Sequence, residues 1–409
     1  MGRRWVLGGS LLLVVSACSS STPTGETTGS GSEAIINGTD STDAQNSVVM
    51  IEQPLSASSV VICSGVLLAP TLVMTARHCV SNLPDEGFTC DENGVGSEGG
   101  DILSDVDPTS LYIFTGATRE TKLTQARARG TKLFHDTATN ICNHDLALIL
   151  LDTAIDDEPI VPVRLKTGPT TNESVVAVGW GVTTSTETPS TRQQRTLDIE
   201  RVGPNRDDAN ELDVPPNEFE VGESICEGDS GGPAFDSTTG AVVGIVSRGG
   251  NDTQPVAGDP AASCVGASNF YSEPSHFESI IDSAYAAAGQ DPWLEGQGDP
   301  RLTAPGDSCT DSAACQTGLC GDVNGSRICT YDCSSAACPS GFACEASDAG
   351  GSFCIASAAS SSGGSSGGCA VSGGRDRDGR GGSNIGFLGV GLGLAALATR
   401  RARSRRHRR

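Results

Sequence analysis

In the stretch Cys63-Ser-Gly-Val-Leu-Leu-Ala-Pro-Thr-Leu-Val-Met-Thr-Ala-Arg-His78-Cys79 a histidine ends a strand-like apolar run and is followed at once by a cysteine. That setting separates His78 from His135, His144, His276 and His407, whose ordinary reading is a surface or loop imidazole. Around it the chain is built of short apolar runs (residues 60–69, 111–115, 146–151, 174–178 and 241–247) divided by Gly, Pro, Asn and Asp. Many short strands with turn residues between them predict an all-β barrel or sandwich. One helix is predicted at the end of this region. Phe277, Ile280, Ile281, Ala284, Tyr285 and Ala288 share one face, Ser275 and Glu278 have capping-box spacing, and Gly289 supplies a stop.

Two further segments carry reactive side chains: His144-Asp145-Leu-Ala-Leu, and Cys226-Glu-Gly-Asp-Ser230-Gly-Gly-Pro233. A serine hydroxyl is a poor nucleophile unless a base takes its proton and later returns it to a leaving group, and imidazole does both near neutrality. A carboxylate behind the imidazole fixes its tautomer and stabilises the imidazolium.

Together the three segments, in the order His, Asp, Ser, resemble the chymotrypsin/trypsin family over residues 35–289. The resemblance implies two six-stranded antiparallel β-barrels with a C-terminal helix, and peptide-bond hydrolysis in the cleft between them. It implies His78, Asp145 and Ser230 as catalytic residues, with the N–H groups of Gly228 and Ser230 as the oxyanion hole. Losing one such donor costs about 3 kcal/mol in transition-state stabilisation.

It also implies zymogen activation. Ile35-Ile36-Asn37-Gly38 resembles the family's mature start, with Asn37 a departure, and the freed Ile35 ammonium would pair with Asp229. Residue 34 is Ala, so the activating cut is not tryptic. The resemblance places Ser224 at the bottom of the primary pocket, Gly249 at its entrance and Asn269 on its wall, while Arg248 stands where the family has Trp. Uncharged P1 side chains are expected. Cys63–Cys79 and Cys226–Cys264 match family disulfides, and Cys90 and Cys142 remain in this domain to brace loops beside the site.

Outside this domain the sequence reads in six pieces. Residues 1–17 have a basic start and an apolar run too short for a stable membrane span. They end Val15-Ser16-Ala17-Cys18, which resembles a lipobox with Cys18 as the lipidated residue; the alternative is an ordinary signal peptide. Residues 18–34 are a Ser/Thr/Gly tether and propeptide. Residues 290–305 read as a linker. Residues 306–356 hold eight cysteines and little apolar sequence, a disulfide-rich module whose connectivity is one of 105 pairings. A Ser/Gly spacer (357–384) contains Cys369, and an apolar stretch with an Arg cluster ends the chain (385–409). These last two resemble the MYXO-CTERM sorting tails of myxobacterial surface proteins, with one Cys where Cys-Gly-Cys is usual; the alternative is a disordered basic tail.

The formal net charge is −23, and 12 of the 27 basic residues lie at the two ends. Residues 5–374 therefore carry 15 basic against 48 acidic groups, a net of −33. Such a body repels nucleic acid and anionic lipid. Sixteen cysteines point to an oxidising compartment. The acidic insertion with Asp85, Glu86, Asp91, Glu92, Glu98 and Asp101 lacks calcium-loop spacing. No metal or cofactor is expected. The expected partners are protein or peptide substrates, plus a membrane reached through a lipid or the C-terminal tail, and the expected protein is an exported monomer of the outer membrane or cell surface. The competing reading is a surface adhesion protein that binds through its cysteine-rich module, with the protease-like domain as scaffold.

Overall fold

The computed structural model describes residues 35–357, apart from 57–58, 85–86, 121, 182–189, 207–212, 252–261 and 349. Cys18, Cys369, the tether and the C-terminal tail lie outside the described residues.

Six strands form a first closed barrel: β1 (Val48–Ser56), β2 (Ser59–Ala69), β3 (Leu72–Thr75), β4 (Tyr112–Phe114), β5 (Ala128–Phe134) and β6 (Ala147–Leu151). Their order around it is β5-β6-β3-β2-β1-β4, and every pairing is antiparallel. The barrel closes over Val66, Leu68, Val73, Leu148 and Ile149, all fully buried.

A second barrel follows: β7 (Ser174–Gly179), β8 (Gln193–Val202), β9 (Glu218–Val221), β10 (Pro233–Asp236), β11 (Val242–Gly250) and β12 (Ser268–Ser272). Its order is β8-β7-β10-β11-β12-β9, closed by pairing of β9 with β8. Val175, Ile199, Val243 and Val246 fill it, with the Phe219 and Tyr271 rings stacked at 5.2 Å. Burial of this apolar surface, roughly 25 cal/mol per Å², is what makes each barrel a unit.

Helix α1 (Glu278–Ala288) buries Ile281, Ala284 and Tyr285, and Tyr285 Oη donates to the Leu68 carbonyl of the first barrel at 3.2 Å. Gly289 ends it in the left-handed conformation, φ 70°. Its start differs from the capping box expected at Ser275 and Glu278. A 3₁₀ turn (Pro274–Phe277) enters the helix, Phe277 is the N-cap with no side-chain cap, and Glu278 instead pairs with Lys166.

Residues 290–305 are pinned to the barrels although their composition reads as a linker. Val163 N–H donates to the Trp293 carbonyl at 2.9 Å, and Glu295 N–H donates back to Val163 at 3.1 Å. Glu295 also joins Glu173 and Asp236 around the Arg164 guanidinium. Two apolar side chains, Trp293 and Leu294, packed on the core explain why a Pro/Gly/Asp-rich segment takes a fixed path.

The cysteine-rich module is two four-cysteine units with the same closure. Cys309–Cys320 and Cys315–Cys329 interlock in the first, Cys333–Cys344 and Cys338–Cys354 in the second. In each unit the third and fourth cysteines face each other across a hairpin: β13 (Cys320–Val323) with β14 (Ser326–Cys329), then β15 (Phe342–Ala346) with β16 (Ser352–Ala356). This internal repeat is hidden in the sequence, because the spacings between cysteines differ from unit to unit.

One buried acid links the fold to pH. Glu273 is 2% exposed, and burial, with Glu218 and Glu173 nearby, pushes its carboxyl up to about 8. The folded state therefore keeps a proton that the unfolded chain releases near pH ~4. This group's contribution to stability is fully present at acid pH and is lost as pH rises toward 8. Thermal unfolding followed from about pH 5 to about pH 8.5 should show that fall, and Glu273→Gln should flatten it.

Candidate active site

His78 opens a 3₁₀ turn (His78–Val80) just after β3, and the Cys63–Cys79 disulfide staples that turn to β2. Asp145 lies two residues before the buried start of β6 and is fully buried. A buried carboxylate needs donors, and Asp145 has three. His78 N–H donates to Oδ1 at 2.9 Å, His78 Nδ1 lies 2.8 Å from Oδ2, and Ser247 Oγ donates to Oδ2 at 2.7 Å. Burial works to lower the His78 pKa, but the Asp145 charge and hydrogen bond outweigh it and hold the imidazole above its usual value. With Nδ1 committed to Asp145, Nε2 is the nitrogen left for chemistry.

Ser230 lies part-exposed on the loop between β9 and β10. Its carbonyl accepts the Ser64 N–H at 2.8 Å, which ties the loop of the second barrel to β2 of the first. Gly228 has φ 98°, a conformation that strains any other residue, and its carbonyl is held by Ser64 Oγ at 2.9 Å. Ser64 Oγ in turn accepts the Trp180 N–H. Among the described residues, neither the Gly228 N–H nor the Ser230 N–H donates to a protein acceptor. Two free donors beside a hydroxyl are a ready site for a developing oxyanion.

Asp229 is 1% exposed, and burial pushes its carboxyl up to about 7, against hydrogen bonds from the N–H groups of Cys226, Gly181 and Ile35. A Cβ on Gly179 or Gly181 would come within 2.2 or 2.3 Å of its oxygens, so both positions must be glycine. Ile35 is fully buried with the second core, at φ 51°, a strained value for a β-branched residue. Asn37 Nδ2 donates to Glu223 at 2.6 Å, and Arg195 reaches the Ile36 and Glu223 carbonyls, both at 2.7 Å.

Ser224 is buried beside the Tyr271 hydroxyl. Asn269 is 1% exposed and its Nδ2 donates to the Gly222 carbonyl at 2.9 Å. Its Oδ1 lies so close to Gly249 that a Cβ there would meet it at 1.9 Å. The Asn269 amide is thus held between the Gly222 carbonyl and Gly249.

Other parts of the site have no clear signature in the sequence. Ser247, the third donor to Asp145, comes from β11 of the other barrel. Arg248 pairs with the fully buried Glu218, and its guanidinium lies 4.4 Å from the Phe270 ring centroid and 5.6 Å from that of Phe88. Phe88 belongs to a hairpin of the acidic insertion (Phe88–Cys90 with Gly96–Gly99), fixed by Cys90–Cys142, and its ring stands 6.5 Å from His78. A cavity of about 110 Å3 opens between Phe88, Thr89, Arg248, Gly249 and Phe270. The one signal for Ser247 is its place beside Gly249 in a strand; nothing in the sequence marks Glu218. Of the clusters close enough to hold a metal among the described residues, the one with a histidine is Cys63, His78 and Cys79, whose two sulfurs are joined in a disulfide.

Two antiparallel barrels with an imidazole, a buried carboxylate and a serine brought to their junction define the chymotrypsin-like class of fold. The family model described as Trypsin matches residues 35–261, more than half of the chain, and the chain belongs to that family. Among solved structures it is similar to the scabies mite inactivated protease paralogue S-D1, at 17% identity over 63% of this chain and 99% of that one, with a TM-score of 0.43. No curated protein sequence matches.

The geometry around Asp145 is testable without turnover. A proton NMR titration should place the His78 pKa above the ordinary imidazole value of about 6.5. Asp145→Asn removes the charge and leaves the burial, so the pKa should fall below that value; an unmoved pKa would contradict the arrangement described.

Proposed function

We propose that the protein is an exported serine endopeptidase that cleaves peptide bonds through an acyl-enzyme on Ser230. The observation that carries this reading is the pairing of a fully buried, triply hydrogen-bonded Asp145 with His78, beside a serine flanked by two free backbone donors. In this reading His78 Nε2 takes the Ser230 proton as Oγ attacks the scissile carbonyl, then delivers it to the leaving amine. Asp145 holds the imidazole and stabilises its charged form. The Gly228 and Ser230 N–H groups receive the negative oxygen of the tetrahedral intermediate. Water repeats the sequence on the acyl-enzyme.

We further propose that the enzyme is made as a zymogen cut between Ala34 and Ile35. Asp229 supports this: it is a buried carboxyl held by N–H donors, and Ile35 is already seated beside it in a strained conformation. Cleavage would release that φ constraint and turn the neighbouring amide into an ammonium group, which would draw the Asp229 pKa down. The cut would also part the catalytic domain from a lipid on Cys18, since residues 19–34 hold no cysteine. The lipid then anchors the zymogen, and the C-terminal tail anchors the active form.

The Asn269 amide packed against Gly249 favours small, uncharged P1 side chains such as Ala. That preference would admit Ala34 and so allow self-activation.

Fluorophosphonate labelling tests the central reading. Protein processed to begin at Ile35 should label at Ser230, and Ser230→Ala should not. Absence of label on the processed wild type would favour the rival surface-binding role of the cysteine-rich module. Digestion of a peptide library should give cleavage after small residues, and Asn269→Gly should raise kcat/KM for Leu or Phe over Ala at P1 by about tenfold or more. Retained cleavage after Ala34 in a Ser230→Ala protein made without active enzyme would rule out self-activation.

A further inference from the structure

The residue before the catalytic histidine is a buried arginine, 4% exposed. Each of the three nitrogens of Arg77 has a separate partner. Nε donates to Ser81 Oγ at 2.8 Å, closing the turn that carries His78. Nη1 donates to the Asp136 carbonyl at 3.0 Å, and Nη2 to Asp105 Oδ1 at 2.9 Å. Asp136 then reaches the residue before Asp145, because its Oδ2 lies 2.5 Å from His144 Nδ1. His135 closes the circuit, with Nε2 3.0 Å from Asp105 Oδ2 and Nδ1 2.7 Å from the Asp136 carbonyl.

Besides the pairing of β3 with β6, two side-chain connections therefore join the His78 segment to the Asp145 segment. One is the direct His78–Asp145 contact. The other runs from Arg77 through Asp136 to His144, one residue back on each side. A buried guanidinium is costly to desolvate unless its donors are all used, and here all three directions are used across three separate segments.

We propose that Arg77 is a positioning residue for the triad, the centre of a second hydrogen-bonded span with Asp136 and His144 that fixes the separation of the segments bearing His78 and Asp145. The proposal rests on the peptidase reading above. Electrostatics fit the geometry. Burial draws the Arg77 pKa down, while Asp105, Asp136 and Asp145 draw it up. The hydrogen bond to Asp136 holds the His144 imidazole above its usual value, against burial. Burial alone would raise the Asp136 carboxyl, but the bonds from His144 and the Ala138 N–H, with the charges of His144 and Arg77, hold it below the ordinary range. Glu218 is the remaining charged group that acts on His144.

The test compares Arg77→Ala, Arg77→Lys and His144→Ala in the full processed enzyme, with active sites titrated by fluorophosphonate. Lys166→Ala, which removes an exposed ion pair with Glu278, is the surface control. Arg77→Ala should lower kcat by about tenfold or more with KM within about twofold. It should also move the acid limb of kcat/KM to higher pH by about half a unit, because a positive charge near His78 and Asp145 is lost. Arg77→Lys keeps the charge but not the fork, so the limb should stay while kcat falls about threefold or more. His144→Ala breaks the span at its more exposed end and should lower kcat by about threefold.

An Arg77→Ala enzyme with kcat within about twofold of wild type and an unmoved acid limb would overturn the proposal, as would a loss confined to thermal stability. If Arg77→Ala does not fold, His144→Ala decides: unchanged kcat and an unchanged His78 Nδ1 proton resonance overturn it. That resonance also separates the two readings. If the wild type takes no label, the peptidase reading fails by itself. Arg77→Ala must still shift or broaden the His78 Nδ1 signal for the positioning role to stand.

Discussion

A carboxylate with no exposure to water has to find its donors inside the protein, and Asp145 finds them on two different bodies. His78 belongs to the first barrel and Ser247 to the second. Satisfying one buried charge therefore fixes the angle at which the barrels meet. The Ser64 bonds to the Ser230 and Gly228 carbonyls add a second tie across the same seam. Val178, Phe235, Val242 and Ile245 of the second barrel join the first barrel's core across this junction, and the hydrogen bonds there add direction to that less directional apolar packing.

The surroundings of that junction are charged where a plainer design would be apolar. Arg77 directly precedes His78, and the Arg248 guanidinium, paired with Glu218, lies over the rings of Phe88 and Phe270. Glu218 also receives the Asn143 N–H at 3.4 Å, two residues before Asp145. Buried ion pairs contribute little net stability, but breaking one by removing a single partner is costly. The segment 141–145 is thus gripped from the first barrel by Asp136, itself held by Arg77, and from the second by Glu218 and Asn217.

Much of this is legible in the sequence, for physical reasons. The strands are visible because a barrel wall needs short apolar runs, and the helix because one face has to cover the first barrel. The three reactive segments are visible because each sits in a stretch whose residue types are set by its chemistry. Ser247, Phe88 and Glu218 are not, since each acts from a strand or hairpin far away in the chain, and long-range proximity leaves no mark on local composition. The helix start misleads because Ser275 and Glu278 have the right spacing for a capping box, but Pro274 begins a 3₁₀ turn that puts the cap at Phe277. Residues 290–305 have the composition of a linker, yet the partly buried Trp293 and Leu294, with the backbone bonds to Val163 and the Glu295–Arg164 pair, hold them in place.

The paired four-cysteine units share their chain with a domain of the trypsin family. To be cut, a polypeptide must be drawn out into several extended residues, and that requires local unfolding. In each unit the interlocked loops span sequence separations of only 11 to 16 residues, so no stretch of them can be pulled free without breaking a covalent bond. A segment held shut in this way, rather than by a hydrophobic core that breathes, is a poor meal for its own neighbour. In a chain that also holds a trypsin-family domain, covalent closure gives the module a resistance to unfolding that burial in so small a fold would not.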